Sequence, residues 1–295
     1  MLDRDETRLA STWQGTMGEV PPLVARLEAE ARRVETPCGK GNMAWRLWGE
    51  GPPLVLLHGG AGSWRHWARN IGALARGRLV LAADLPGLGD SDLPPPPTTP
   101  EGVTQVLSAG LDALLGPGTR FDLMGFSFGA VLSGGLAALR DRDLRSLTLV
   151  GAGGLGLPRP PVVLEKIRDK QGEERAAAHR ANLARLMLAD PARIDATALA
   201  IQSWNSDHTR INSRSFMPAT WLRDTLPGVT APLNVIYGER DAIAYPQLES
   251  RFALIRGIRP DARCRAIPGA GHWVAYEAAD AFNRAAAEML PPGAG

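Results

Sequence analysis

The chain has 295 residues, with 33 Lys or Arg against 31 Asp or Glu and a formal net charge of +2. That length suits one large α/β domain, or one domain carrying an insertion, and it buries enough core to need neither disulfides nor a structural metal. The charge is too balanced to argue for nucleic acid or a membrane surface as partner, and no apolar run approaches the roughly 20 residues that span a bilayer. The start, with Asp3, Arg4, Asp5, Glu6 and Arg8, lacks the apolar stretch of a secretory signal, so a cytoplasmic protein is expected. In a reducing compartment Cys38 and Cys264 are then expected to be unpaired and structural.

Residues 1–32 read as a partly helical leader, in which Leu23, Leu27 and Ala31 recur every fourth position among Arg and Glu. Two strands follow over 33–36 and 43–48, joined by the Cys38-Gly39-Lys40-Gly41-Asn42 turn. The apolar run Leu54-Val55-Leu56-Leu57 suits a parallel strand buried on both faces, and it ends in the loop His58-Gly59-Gly60-Ala61-Gly62. A helix is predicted over 63–76, then a strand over 79–83 that ends in Asp84-Leu85-Pro86-Gly87-Leu88-Gly89-Asp90-Ser91. A proline-rich loop leads to a helix over 101–115. Next come Phe121-Asp122-Leu123-Met124, the stretch Gly125-Phe126-Ser127-Phe128-Gly129, and a small-residue helix over 130–139: strand, sharp turn, helix. With a further strand over 144–150, the alternation predicts a parallel, doubly wound sheet.

After Val150 the rhythm breaks. Residues 151–161 are rich in Gly and Pro, helical patterns occupy 165–188 and 192–204, and no strand is expected before 232–237. A helix over 246–255, a strand over 264–267 and a last helix over 277–290 complete the pattern, with a frayed tail at 291–295. Residues 155–227 therefore read as a helical insertion, and 33–154 with 228–290 as the core. Gly151-Ala152-Gly153-Gly154-Leu155-Gly156 fits the dinucleotide fingerprint, but Pro158, Pro160 and Pro161 stand where its helix must begin. These glycines are read as the exit from the sheet, and no cofactor is expected.

The turn around Ser127 has the form G-x-S-x-G, whose central serine sits on strained backbone with its hydroxyl exposed. A serine hydroxyl becomes a useful nucleophile only beside a base, usually histidine, which in turn needs a carboxylate to fix its tautomer. Asp241, in Gly238-Glu239-Arg240-Asp241, and His272, in Gly269-Ala270-Gly271-His272-Trp273, each lie just past the carboxyl end of a predicted parallel strand. Doubly wound sheets place their sites there. Of the other histidines, His58 is read as a structural hydrogen-bonding residue, His179 as solvated, and His208 as surface or ligand-facing. Asp84 is read as holding its turn. No histidine pair has metal-ligand spacing with a carboxylate, so no metal is expected.

His58-Gly59, the 84–91 run, the turn at Ser127, Gly238-x-x-Asp241 and Gly271-His272, in that order, resemble the α/β-hydrolase superfamily over roughly residues 33–290. The resemblance implies the α/β-hydrolase fold, a doubly wound, mostly parallel sheet with residues 155–227 as a helical cap. It implies Ser127 as nucleophile, His272 as base and Asp241, not Glu239, as the acid that orients it. It further implies an oxyanion hole made by the backbone N–H groups of Gly60 and Phe128.

Gly271-His272-Trp273, Tyr276-Glu277 and Asp280-x-Phe282-Asn283-Arg284, with Trp64 and Arg69-Asn70, look like the hydrolases that split carbon–carbon bonds in ring-fission products of aromatic degradation. Phe126 and His66 replace asparagines of that family, and Ser203 stands before Trp204 where its carboxylate-gripping arginine would be, with Arg210 or Arg214 as candidate replacements. These departures shift the expected substrate to a small or medium, partly apolar ester, thioester or lactone. Carbon–carbon cleavage of a dienoate, perhydrolysis of the haloperoxidase kind, acyl transfer and a non-catalytic ligand-binding homologue are the alternatives. Phe126, His66, Trp204, Arg210 and Trp273 are the expected substrate contacts. The expected partner is a small molecule, with assembly into identical copies left open.

Overall fold

A computed structural model describes residues 19–292, apart from the side chain of Arg214. The leader before residue 19 and the last three residues of the tail lie outside the described residues. The eight strands are β1 (Arg32–Cys38), β2 (Gly41–Trp48), β3 (Pro53–Leu57), β4 (Leu79–Ala83), β5 (Phe121–Phe126), β6 (Leu144–Val150), β7 (Leu233–Gly238) and β8 (Arg263–Ile267). They form one sheet in the order β1-β2-β4-β3-β5-β6-β7-β8. Only β2 runs antiparallel to its neighbours; from β4 onward every pair is parallel.

The apolar run of β3 explains the sheet's place at the centre. Successive side chains of a strand point to opposite faces. Val55 and Leu57 enter one apolar layer with Trp45, Leu81 and Leu123, while Leu54 and Leu56 enter the other with Trp64, Trp67, Met124 and Trp273. Each such buried side chain contributes about 1.5–3 kcal/mol of transfer free energy, so neither face tolerates a polar residue there. Helices α1 (Pro22–Glu30), α2 (Pro100–Leu115) and α3 (Phe128–Leu139) cover the sheet. Val24 and Leu27 of α1 pack into the second layer, and the Leu27 carbonyl accepts from Trp48 Nε1 at 2.8 Å. The end of the leader is thereby fastened to the core. Both cysteines are free thiols.

The helix expected over 63–76 is broken into a 3-10 turn, Trp64–Trp67, and a single turn, Ile71–Leu74. The four residues of the first turn, Trp64, Arg65, His66 and Trp67, are all buried, so this segment has no solvent face to run along. Asn70 stops it at the junction: its Nδ2 donates to the Ala275 carbonyl at 2.8 Å and to Asn283 Oδ1 at 2.9 Å.

Between β6 and β7 the chain leaves the sheet, as expected. The helix predicted from 165 begins only at α4 (Gly172–Asn182) and passes into a π-helical turn, Leu183–Met187. Helix α5 (Ala196–Asp207) starts at Asp195, whose side chain accepts from the Ala198 amide at 2.8 Å. After β7 come α6 (Leu248–Ile258) and α7 (Ala279–Met289). The last predicted helix is α7, and a separate turn over Val274–Glu277 precedes it. Among the described residues no helix is long and apolar enough to cross a membrane.

Candidate active site

The serine turn is fixed by what its neighbours exclude. Ser127 has φ 51°, and Ala61 is the other described non-glycine residue with positive φ. Such backbone is strained for an L-residue and persists where the surroundings enforce it. A Cβ on Gly129 would lie 2.4 Å from the Leu57 carbonyl oxygen, and one on Gly125 would lie 2.5 Å from that of Gly129. Strand β5 and helix α3 therefore meet this closely only with glycine at both positions. The Ser127 amide donates to the Val150 carbonyl at 2.8 Å, which ties the turn to β6.

The loops after β7 and β8 are pressed together in the same way. A Cβ on Gly238 would stand 2.1 Å from the Gly271 carbonyl. The Arg240 amide donates to the Ala270 carbonyl at 2.9 Å, and Glu239 accepts from the Gly269 amide at 2.9 Å. Glu239 is thus spent on the loop backbone. Asp241 is fully buried, and its Oδ2 lies 2.8 Å from His272 Nδ1. The opposite ring nitrogen, Nε2, lies 2.9 Å from Ser127 Oγ. A carboxylate only accepts, so the Nδ1 proton points to Asp241 and Nε2 is left to accept from the serine hydroxyl.

Ser127 and His272 lie on a cavity of about 650 Å³. Gly59, Gly60, Ala61, Phe126 and Phe128 form its floor, and Leu155, Leu164, Leu186, Met187, Ile211 and Met217 are among the insertion residues that roof it. Phe128 opens helix α3, where an N–H has no intrahelical acceptor. Neither its amide nor that of Gly60 has another hydrogen-bond acceptor among the described residues. Both residues line the cavity with Ser127, and a Cβ on Gly60 would stand 3.6 Å from that of Phe128.

The remaining histidines are structural. His58 is fully buried, with Nδ1 2.7 Å from the Gly59 carbonyl and Nε2 accepting from the Leu85 amide at 2.9 Å. Burial pulls its pKa down to about 4. His66 accepts from the Gly59 amide at 3.2 Å, and burial, with the neighbouring His58 and His272, holds it well below the usual histidine range. Both therefore stay neutral and shape the loop that carries Gly60. His179 is not solvated: it is wholly buried beneath α5, and neither ring nitrogen has a partner among the described residues. His208 neither floats on the surface nor faces the cavity, because it stacks on Trp204 with ring centroids 3.7 Å apart.

Of the expected substrate contacts, Phe126 alone lines the cavity, its ring 5.0 Å from that of His272. Trp204 is withdrawn between His208 and the Arg65 guanidinium, which sits 3.6 Å from its ring centroid. Arg210 is turned away to the carbonyls of Gly89 and Ser91. Trp273 points behind the base, where its Nε1 donates to the His66 carbonyl at 2.8 Å, and His66 is held behind Gly59. Two residues escape sequence reasoning. Glu277 accepts from the amides of Gly271, Ala189 and Asp190 at 2.6, 3.0 and 2.7 Å, locking the base loop to the insertion. Arg251 of α6 reaches the cavity wall. Among the described residues no group of three or more His, Cys, Asp or Glu is placed to hold a metal ion.

The comparisons agree with this architecture. The chain is 30% identical over 258 residues to the 2-hydroxy-6-oxo-6-phenylhexa-2,4-dienoate hydrolase of Comamonas testosteroni, covering 82% of this chain and 88% of that protein. It is 28% identical over 261 residues to a 2-hydroxy-6-oxononadienedioate/2-hydroxy-6-oxononatrienedioate hydrolase of the same organism, covering 83% and 90%. Carboxylesterase CesB from Bacillus subtilis superposes with a TM-score of 0.78 at 16% identity, over 96% of this chain and 97% of that one. A point mutant of the meta-cleavage product hydrolase CumD does so at 0.69 and 21% identity, over 87% and 97%. Residues 54–285 match the Alpha/beta hydrolase family. The chain belongs to that family.

Proposed function

We propose that the protein hydrolyses a small or medium, partly apolar ester, thioester or lactone through an acyl-enzyme on Ser127. The observation that carries this reading is the unbroken chain Asp241–His272–Ser127, with links of 2.8 and 2.9 Å, opening onto the cavity floor. Ser127 Oγ attacks the carbonyl carbon as its proton passes to His272 Nε2. The resulting oxyanion accepts from the Gly60 and Phe128 amides, and each such donor is worth about 3–4 kcal/mol of barrier. Collapse breaks the bond to the leaving oxygen or sulfur, which takes the proton from His272. Water, activated by the same imidazole, then releases the acid and restores Ser127.

A fluorophosphonate probe tests the nucleophile: it labels Ser127 in the native protein and nothing in Ser127→Ala. A panel of p-nitrophenyl esters and lactones tests the substrate class. Labelling without turnover of any of them refutes the ester reading. The dienoate hydrolases among the relatives favour one second reading, cleavage of a carbon–carbon bond beside a ketone. It predicts that a ring-fission dienoate outruns every ester in the panel. Phe126 beside the nucleophile, in place of an amide side chain, supports the ester reading.

A further inference from the structure

We propose that Arg251 reads an anionic group on the substrate, and that the ligand of this cavity is a carboxylate-bearing ester. The inference deepens the hydrolytic reading and rests on it for the position of the reacting carbonyl. Among the described residues lining the cavity two are arginines, Arg159 and Arg251, and none is Asp or Glu. Arg251 is the buried one, with 3% of its surface exposed.

The other buried arginines show what Arg251 lacks. Arg46 has Glu28 at 2.8 Å and Asp90 at 2.5 Å, Arg78 has Asp122 at 3.0 Å, and Arg65 has Glu28 at 3.8 Å. Arg251 has no carboxylate within 4 Å among the described residues. Its Nη2 donates to the carbonyls of Pro158 at 3.3 Å and Ile243 at 2.5 Å, the guanidinium also meets the neutral Tyr237 hydroxyl, and its Nε is buried with no partner among the described residues. A guanidinium taken out of water without a counter-charge is costly, and planar bidentate donors fit a carboxylate. A ligand carboxylate supplies what the chain omits. The position also suits substrate reading, because Asp241 Oδ1 accepts from the Ile243 amide at 2.9 Å. The guanidinium is therefore anchored to the loop that carries the acid, on the same cavity as Ser127.

A purely mechanical role, clamping the backbone at 158 and 243, makes a different prediction. The test compares p-nitrophenyl hydrogen glutarate with p-nitrophenyl valerate, two acyl esters of equal chain length, and repeats the comparison with the adipate and hexanoate pair. The wild-type protein is expected to prefer the anionic member of a pair by about tenfold or more in kcat/KM, as a charge-assisted hydrogen bond allows. Arg251→Met should bring that ratio close to one through a raised KM, and Arg251→Lys should keep part of it. A clamp would slow both esters by the same factor and leave the ratio intact, which overturns the proposal. Equal use of both esters by the wild type overturns it too, while leaving the serine mechanism standing. Calorimetric titration of Ser127→Ala with glutarate and adipate decides the matter without turnover. Binding that Arg251→Met removes supports the assignment, and absence of binding by both diacids refutes it.

Discussion

The floor of the cavity is held by backbone, whereas its roof is held by side chains. At the floor, Gly125, Gly129 and Gly238 leave no room for a methyl group, and the loops they join carry the serine, the acid and the base. In the roof, His179, Ser203 and Asn205 each bury a polar atom without a partner among the described residues, and the chain before α4 lacks a regular helix. Val163 in that stretch is 76% exposed. The difference separates two tasks. Bond-making geometry requires fixed distances, so it sits where backbone collisions permit one arrangement. Substrate fit is set by residues that tolerate exchange, and the departures from the dienoate-hydrolase pattern, Phe126 and His66 at the floor and Ser203 in the insertion, fall on none of Ser127, Asp241 or His272.

Breaking the floor's chemistry gives the largest expected effect. Asp241→Asn leaves Nδ1 facing a group that no longer fixes the tautomer, and kcat should fall about ten-thousand-fold with the fold retained. Glu239→Gln keeps its oxygen for the Gly269 amide and should stay within about threefold in kcat, since it does not touch His272. Steady-state kinetics on one ester checks both, and the reverse pattern would make Glu239 the acid.

The backbone contrast can be read directly as stability. Gly129→Ala forces a methyl group to 2.4 Å from a carbonyl oxygen, an overpacking that should cost about 3 kcal/mol or more. Gly153→Ala, where the chain leaves the sheet for the insertion, meets Val131 at an ordinary 3.7 Å and should change stability by less than about 1 kcal/mol. Denaturant midpoints of the two variants measure the difference, and equal losses would show that backbone collision does not fix the serine turn more tightly than the exit from the sheet.

The distinction between floor and roof also explains what was legible in the sequence. Gly125, Gly129, Asp241 and His272 announce themselves because steric and chemical necessity allow so few residue types at those spacings. The strand run 54–57 is legible for the same reason, since only apolar residues survive with both faces covered. The roof follows no such rule. Arg210 and Arg251 look alike as letters, yet one is folded back onto Gly89 and the other faces the cavity. A signal for Arg251 was present: it falls between Leu248, Phe252 and Ile255 on the buried face of α6. An arginine on an apolar stripe asks for a counter-charge, and that question could have been put before any coordinates. The break of the 63–76 helix had no such signal, because Asn70 stops it through contacts more than 200 residues away.

Acid sharpens the contrast from the floor side. Burial lowers His58 from 6.5 to about 4, so between these values the unfolded chain binds a proton that the folded chain refuses. The stability His58 provides is therefore complete above pH 6.5 and is lost as the pH falls through this window, by at most about 3 kcal/mol at pH 4. His58→Gln should be less stable at neutral pH but show a flatter acid limb in thermal melts. His179 and His208 shift in the same direction and remain in both proteins, whereas His66 is held down partly by His58, so the difference between the two curves reports the His58–His66 pair. Parallel curves would mean that its protonation is not coupled to folding.

The smallest effect is expected at Arg210, and it bears on where the roof reads charge. Its guanidinium donates to the carbonyls of Gly89 and Ser91, outside the cavity. Arg210 is itself exposed, so the hydrogen bonds that Arg210→Met removes lie at the surface and should be worth no more than about 1 kcal/mol of stability. The value of kcat/KM should stay within about threefold for neutral and anionic esters alike. A loss of tenfold or more confined to anionic esters would show that Arg210 swings into the cavity when ligand is present. The role of reading charge would then pass from α6 to the loop after α5, because a cation that leaves two carbonyls for a ligand must gain more from the ligand than it gives up.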